Sequence, residues 1–433
     1  MAAGAAMLVG AIFFIADRAR ADRLEDTLYV PLDHPAIQYT QDPSEDPVWR
    51  LDQKLRNGEA KLAYDPNRNG YLPALLTAFG ISVDSQVLVF SKTSIQAEHI
   101  NPRTPRAIYF NDDVTVGIVQ GGDVLEFTSV DPKRGVFLYS LDAARSANPG
   151  FARRDDCLRC HQGPITLGVP GLLVSSLHPR FPQSGDVHGF SFVTDHRTPF
   201  DERWGGWYVT GTHGTQRHLG NNLGLVNAMN PGGPNSGEQG QNWTTLPDVF
   251  DRSKYLAHSS DLVALLTLEH QTRMTNLMIR VGWDTRIAER DGKLEEETGE
   301  ELRKQLGEEI DELVTYMLFA DEAPLKGPVA GTAAFSKTFP QRGPRDSKGR
   351  SLRDFDLNTS LFKYPLSYML YSTAFDGMPD SLRVRVYRRL YEILTGKDSA
   401  GKFARLTAEQ RQAILEIVRE TKRGLPDYWA ATP

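Results

Sequence analysis

The sequence contains very little cysteine. Only Cys157 and Cys160 occur among its 433 residues, so a site built on thiols has to use these two. A zinc site needs about four ligands, and two of them would have to come from distant histidines. A redox dithiol is the other option, but the pattern of a thioredoxin-like strand-to-helix unit is not evident around these residues.

Excess positive charge is also lacking. The formal net charge is -6 and the sequence pI is about 6.0. The chain therefore has no basic footprint of the kind that nucleic-acid binding requires. Its hydrophobic content of 40% and charged content of 24% are those of an ordinary globular protein.

No lysine or arginine precedes the first apolar run of the chain. Residues 2–16 are almost continuously apolar, a length typical of a secretory signal and short for a membrane span. Ala19-Arg20-Ala21 follows, a small-x-small pattern suited to cleavage after Ala21. We therefore predict a signal peptide over residues 1–21 and export to the periplasm. An uncleaved anchor in the cytoplasmic membrane and a buried N-terminal helix are the alternatives.

Hydrophobic periodicity predicts an α+β fold with a β-rich front half and a helical back half. Short β-branched and aromatic runs predict an antiparallel sheet over residues 87–90, 107–110, 114–119, 124–130 and 136–141. Helix patterns begin near Ser260, Thr298, Asp380 and Thr407, and the first of them is expected to end at Gly282. Residues 320–353 are predicted to be a surface connection, and residues 230–242 a loop.

These patterns divide the chain after residue 21 into three parts. We predict a β-rich domain over 22–150, a segment rich in aromatic residues and histidine over 151–257, and a helical domain over 258–433. Both cysteines fall at the start of the middle segment. The junction between the β-rich and helical halves is a common place for a cofactor, and we expect the functional crevice there.

The five residues Cys157-Leu158-Arg159-Cys160-His161 form a C-x-x-C-H run. This is the attachment pattern of haem c, in which each thiol adds to a vinyl group and the following histidine takes the proximal position on iron. Two thioethers and one iron–nitrogen bond from a single turn of chain require this tight spacing. The run makes the chain resemble a c-type cytochrome. That resemblance implies one covalently bound haem c with His161 as an axial iron ligand.

Three further stretches resemble large exported mono-haem proteins of bacteria: residues 91–113, 203–221 and 261–276. The resemblance implies haem assembly on the outer side of the cytoplasmic membrane, in agreement with the predicted signal peptide. The chain departs from the di-haem peroxidases because it has no second C-x-x-C-H run. It also lacks the sequence context in which small cytochromes c place their methionine ligand. Met229 lies at a suitable distance, but a loop methionine is the simpler interpretation.

His270 is a candidate for the second axial position on iron. It interrupts a helical stripe of apolar residues, and a buried imidazole needs a partner for its ring nitrogens. Haem iron is one such partner. A core histidine bonded to a carboxylate or carbonyl is the alternative. Loop histidines are further candidates for the distal side, namely His178, His188, His196, His213 and His218.

The segment 203–213 is a candidate wall of the haem pocket. It combines Arg203, Trp207 and His213 with other aromatic residues and with glycines that permit close approach of a flat ligand. Arg203 or Arg217 can pair with haem propionates. An ordinary aromatic core is the alternative.

Three classes of function are compatible with this sequence. The first is an exported protein that transfers electrons through one haem c to a redox partner protein. The second is a haem-dependent oxidoreductase whose open distal site acts on peroxide, oxygen or an organic substrate. A single-haem carrier needs only roughly a hundred residues for its packed domain, and this chain has far more. A structural or thiol protein without haem is the third class.

Overall fold

The computed structural model describes residues 30–41, 43–177, 191–223, 242–293 and 299–430. It confirms the predicted α+β class, with a sheet in the front half and helices in the back half. The predicted signal segment and residues 230–241 of the predicted loop lie outside the described residues.

The largest sheet has seven antiparallel strands in the order β6-β5-β4-β3-β2-β1-β9. The first six follow one another in the chain: β1 (Val87–Val89), β2 (Arg106–Phe110), β3 (Val114–Ile118), β4 (Val124–Asp131), β5 (Gly135–Asp142) and β6 (Phe151–Arg153). All five runs predicted as strands are found within this sheet. The seventh strand, β9 (Trp207–Tyr208), pairs with β1.

Two smaller sheets complete the strand structure of the described residues. They consist of β7 (Ser175–Leu177) with β8 (Ser191–Val193), and of β10 (Gly211–Thr212) with β11 (Ala330–Gly331). The second pair joins the middle segment to the back half of the chain, and β9 joins the middle segment to the front half. Strand pairing therefore crosses the predicted boundaries at 150 and 257. One hydrophobic cluster extends from Val30 to Trp429.

The α-helices of the described residues are α1 (Pro47–Arg56), α2 (Leu72–Phe79), α3 (Leu158–His161), α4 (Leu262–Arg290), α5 (Glu300–Met317), α6 (Phe335–Thr338), α7 (Thr373–Asp376), α8 (Asp380–Leu394) and α9 (Ala408–Thr421). No helix in this part of the chain is both long and apolar enough to cross a membrane.

Helix α4 is the longest and runs through the core. Asp261 begins it by accepting hydrogen bonds from the backbone N–H groups of Val263 and Ala264. The prediction that this helix ends at Gly282 is wrong, because it continues to Arg290. Gly282 packs near Met378, and such burial offsets the roughly 1 kcal/mol by which glycine weakens a helix.

The other helix starts agree with the sequence to different degrees. At α9, which begins where the sequence predicts, Thr407 and Gln410 form a reciprocal capping box. Helix α5 has Gly299 as its N-cap, and the predicted cap Thr298 lies outside the described residues. Helix α8 begins at Asp380 itself, with Pro379 as its N-cap.

The prediction of a surface connection over residues 320–353 is wrong. This segment contributes β11 and α6, and it buries Phe335, Phe339 and Leu352. Phe335 and Phe339 stack on each other with ring centroids 5.2 Å apart. The glycine and proline content of the segment reflects several tight turns between short packed elements.

Candidate functional site

The two cysteines and His161 lie together on one short helical turn. A 3-10 turn over Asp155–Cys157 leads directly into α3. Cys157 is three residues before Cys160 and four before His161, and these spacings bring side chains to the same side of a helical turn. Both thiols are free, with Cys157 half-buried and Cys160 exposed. The turn therefore carries two thiols and one imidazole within five residues of chain.

The imidazole of His161 has a defined orientation and tautomer. Its Nδ1 lies 2.9 Å from the carbonyl oxygen of Gly171. Because a carbonyl can only accept, Nδ1 carries the proton and donates it, and Nε2 keeps its lone pair. Burial lowers the pKa of His161, while the bond to Gly171 opposes this effect. The side chain is therefore neutral near pH 7, the form that binds metals.

Helix α4 holds the loop that contains Gly171. The side-chain amide of Asn276 accepts from the backbone N–H of Leu172 at 2.8 Å and donates to its carbonyl oxygen at 2.7 Å. One turn further along the helix, Arg280 donates to the carbonyl of Leu167 at 2.8 Å. Asn276 and Arg280 lie on the same face of α4 because they are four residues apart. The orientation of His161 thus depends on side chains more than 100 residues away in the sequence.

We expect the Gly171→Ala variant to lose about 1–3 kcal/mol of unfolding free energy, because the site is already filled. A Cβ atom at this position would lie 2.5 Å from Oδ1 of Asn276 and 3.0 Å from Cβ of Thr166. Urea unfolding measures the loss. NMR titration should show a lower pKa for His161, since a displaced Gly171 carbonyl no longer stabilises the imidazolium.

The matched control for this prediction is Gly327→Ala. A Cβ atom at Gly327 meets nothing within 4 Å, so its unfolding free energy should change by no more than about 0.5 kcal/mol. Equal losses in both variants would show that the packing around Gly171 has no special role.

One face of the seven-stranded sheet lies beside the C-x-x-C-H turn. We call it the motif face and define it by Arg106, Ile108, Gly117, Glu126 and Ser140, which the strand register places on the same side. Arg154, just before the turn, donates to the hydroxyl of Ser140 at 3.4 Å. The charge of Glu126 acts on the pKa values of both Cys157 and His161.

An ion pair between Arg106 and Glu126 crosses the motif face. Nη2 of Arg106 lies 2.5 Å from Oε2 of Glu126, and both side chains remain partly exposed. The guanidinium lies against Gly117, where a Cβ atom would be only 2.5 Å from Nη2. Nε of Arg106 is buried and has no hydrogen-bond partner in the described part of the chain. Arg106 therefore has one donor that the described residues leave unsatisfied.

The predicted pocket residues Arg203 and Trp207 both make their hydrogen bonds to other groups of the protein. Arg203 is buried and donates to Glu269 at 3.1 Å, to the carbonyl of Thr198 at 2.8 Å and to that of His196 at 2.9 Å. These bonds direct its guanidinium into the protein, so we no longer assign Arg203 to a haem propionate. Trp207 is buried in β9 and donates to the carbonyl of Ser175 at 2.8 Å. Its register with Val89 places it at the edge of the motif face, two strands from Arg106.

His270 is fully buried among protein partners. Its Nδ1 lies 2.8 Å from Nδ1 of His196, and its Nε2 lies 2.7 Å from the hydroxyl of Ser367. Tyr316 stacks on both imidazole rings. His270 is therefore a core histidine and not an assigned iron ligand, although its partners are an imidazole and a hydroxyl rather than the expected carboxylate or carbonyl. His270 is also six residues from Asn276, roughly 9 Å along the axis of α4.

His213 and His218 are buried together in a ring cluster after β10. Burial and the neighbouring His213 lower the pKa of His218 to about 3. Arg217, between them, is exposed. The remaining candidates His178, His188 and Met229 lie outside the described residues. Within the described part, no hydrogen bond, ion pair or ring contact joins the C-x-x-C-H turn to Arg203, Trp207, His213 or His270.

Sequence reasoning missed the residues that orient the site. Asn276 and Arg280 are polar residues four positions apart in an otherwise apolar stretch of α4. This spacing places both side chains on one buried face of the helix, and it was the sequence signal that they bond to the same segment. Glu126 lies between the buried residues Leu125 and Phe127, and this alternation is typical of a strand with one exposed face. No local pattern marks Gly171.

The comparisons with known proteins add no assignment to this site. No protein-family model, curated protein or solved structure matches the chain. In the described residues, no group of three or more His, Cys, Asp or Glu side chains is arranged to hold a metal ion.

Proposed function

We propose that this protein binds one haem c through Cys157, Cys160 and His161 and transfers electrons through it. The observation that carries the proposal is one helical turn that holds two free thiols and an imidazole whose Nδ1 bonds to Gly171 and whose Nε2 keeps its lone pair. We also propose export to the periplasm, because covalent haem c is assembled outside the cytoplasmic membrane. The partner would be a redox protein or a small oxidant.

The state of the thiols fits covalent attachment. Addition of a thiol across a vinyl group forms one carbon–sulfur bond and moves the thiol proton to the neighbouring carbon, so it needs no oxidant and releases nothing. Burial, together with Asp156, raises the pKa of Cys157 to about 11. A redox dithiol instead requires a nucleophilic thiolate near neutral pH, and its pKa is usually lowered. Cys157 therefore does not fit the role of the nucleophilic thiol in a redox dithiol.

The surroundings of His161 fit an axial iron ligand. Ligating histidines commonly donate the other ring N–H to a backbone carbonyl, and Gly171 supplies that carbonyl here. Asn276 holds the Gly171 loop and so restricts rotation of the imidazole. Bound haem supplies a one-electron iron couple. On the motif face, Arg106 would pair with a propionate, and Glu126 would keep the local charge balanced.

Spectroscopy of the full chain tests the proposal. The protein is expressed together with cytochrome c maturation machinery, and ferric and ferrous spectra are recorded with and without carbon monoxide. We expect one haem per chain that stays attached after denaturation and gives a low-spin spectrum insensitive to carbon monoxide. The second axial ligand would come from the remaining candidates His178, His188 and Met229. The Cys157→Ser/Cys160→Ser variant, which conserves side-chain size, should fold and contain no covalent haem.

Two outcomes would contradict this function. Wild-type protein without covalent haem would eliminate the carrier and the enzyme together. Covalent haem in a high-spin state that binds carbon monoxide readily would rule out the simple carrier and support the oxidoreductase alternative with its open distal site.

A further inference from the structure

Two carboxyl groups meet in the core between α4 and α5. Asp284 lies on α4 and Glu309 on α5, and the two side chains are in hydrogen-bond contact. Glu309 is 4% exposed, and the side chain of Asp284 is 16% exposed. Oε1 of Glu309 accepts from Nε2 of Gln305 at 3.0 Å, whereas Oε2 is buried and receives no donor within the described part of the chain. A buried carboxylate oxygen without a donor is costly unless the acid carries a proton.

The contact between the two acids requires such a proton. Two carboxylates at this separation repel each other, so buried pairs of this kind share one proton and carry one negative charge. Arg280 balances that charge, with its Nε 2.5 Å from Oδ2 of Asp284. Burial and the neighbouring Asp284 raise the pKa of Glu309 to about 8. Burial also raises the pKa of Asp284, and Arg280 opposes this effect. The pair therefore holds its proton at neutral pH.

The surroundings leave the balance of charge to Arg280, whose guanidinium acts on both carboxyl groups. Residues 163–176, which pack on α4, contain no charged side chain. Arg385 of α8 approaches α5 at Gly307, two residues from Glu309 and therefore on the opposite side of the helix. Other charged side chains on the packed elements pair with one another. These pairs are Arg273 with Glu312, Asp311 with Arg389, and His34 with Asp291.

Arg280 also connects the acid pair to the C-x-x-C-H turn. Its Nη1 donates to the carbonyl of Leu167 at 2.8 Å. Leu167 belongs to the loop in which Gly171 bonds to His161 twice. The N–H of Gly171 donates to the carbonyl of His161 at 2.8 Å, and the carbonyl of Gly171 accepts from Nδ1 at 2.9 Å. One guanidinium therefore serves both the acid pair and the loop that orients His161.

We propose that Asp284 and Glu309 form a proton-binding site that controls this loop. With one proton on the pair, Arg280 balances a single charge and holds the carbonyl of Leu167. Loss of the proton to solvent leaves two carboxylates beside one guanidinium, and Oε2 of Glu309 becomes a charged acceptor. Because hydrogen bonds between two charged groups are stronger than those to a neutral carbonyl, Arg280 turns from Leu167 to Glu309. The loop, with its Gly171 carbonyl, is then held less firmly.

Carbon-13 NMR of the haem-free full chain, labelled at the Asp and Glu carboxyl groups, tests the proton. We expect one glutamate carboxyl that titrates near pH 8 and is missing from the spectrum of Glu309→Gln. A wild-type protein in which Glu309 is ionised at neutral pH would overturn the proposal. This measurement on the wild type gives the answer even where a variant folds poorly, and far-UV circular dichroism checks the fold of each variant.

Amide hydrogen exchange of the same haem-free chain tests the control of the loop. After correction for the intrinsic pH dependence of exchange, protection of the Gly171 N–H should fall roughly tenfold as the pH rises through 8, the effect of one hydrogen bond. Glu309→Gln keeps a single charge on the pair at every pH, so its protection should not change. Glu301→Gln is the matched control, because Glu301 is an exposed glutamate on the same helix. It should behave as the wild type does.

Two exchange results would contradict the inference. The first is protection of Gly171 that stays constant across pH 8 in the wild type. The second is a Glu309→Gln variant with the same pH dependence as Glu301→Gln. Every measurement uses the haem-free chain, so a protein without covalent haem would contradict the function proposed above and leave this inference standing.

Discussion

Replacing Glu269 with alanine should lower the free energy of unfolding by about 3–5 kcal/mol, because it leaves the charge of Arg203 buried and unbalanced. The two side chains form an ion pair at 3.1 Å with exposed fractions of 3% for Arg203 and 0% for Glu269. The other hydrogen bonds of Arg203 go to backbone carbonyls, which cannot neutralise its charge. Urea denaturation of the purified variant above pH 7, where Glu269 is ionised in the folded protein, measures the effect.

Two control variants isolate the role of burial. Glu269→Gln keeps the size of the side chain and an oxygen acceptor, so it should lose less than the alanine variant. Glu301→Ala breaks an exposed pair with Lys304 on α5 and should cost no more than about 1 kcal/mol. If Glu269→Ala costs as little as Glu301→Ala, the buried pair does not stabilise the fold.

The same carboxyl group should make stability depend on pH. Burial raises the pKa of Glu269 from 4.5 to about 7, and Arg203 opposes this effect. Between pH 4.5 and 7 this carboxyl group is protonated in the folded state and ionised in the unfolded state. The free energy of unfolding therefore falls as the pH rises from about 4.5 to 7. We expect a loss on the order of a few kcal/mol across this window. Glu269→Gln should remove that part of the pH dependence, and identical pH profiles would contradict the assignment.

Replacing His161 with glycine in the haem-loaded protein should abolish the low-spin spectrum, because the proposed iron ligand is lost. Cys157 and Cys160 remain, so covalent attachment should persist. Added imidazole should enter the vacated space and restore the low-spin spectrum. No such restoration is expected if His161 has only a structural role. Absorption spectra of the ferric and ferrous forms provide the measurement.

His258→Ala is the control for this experiment, since it removes an exposed histidine far along the sequence from the motif. Its spectrum should equal that of the wild type. A His161→Gly variant with an unchanged low-spin spectrum would remove His161 as an axial ligand and leave the attachment through the two cysteines as a separate finding.

The sequence by itself determined the local features of this protein. The α+β class, the five consecutive strands of the front half and the capping box at Thr407 and Gln410 all follow from patterns within a few residues. The turn with Cys157, Cys160 and His161 is equally local, because all three residues lie within five consecutive positions of helical backbone. Such features depend on backbone preferences and near neighbours.

Tertiary structure decided which polar residues meet. The sequence placed His270 on an apolar stripe, but only the fold shows that His196 and Ser367 occupy both of its nitrogens. Arg203 was expected to face a ligand and instead pairs with Glu269. Gly171 and Asn276 orient His161 from two segments about 100 residues apart. A buried polar group takes whichever partner the packing brings within hydrogen-bond distance, and that choice is not encoded in any local pattern.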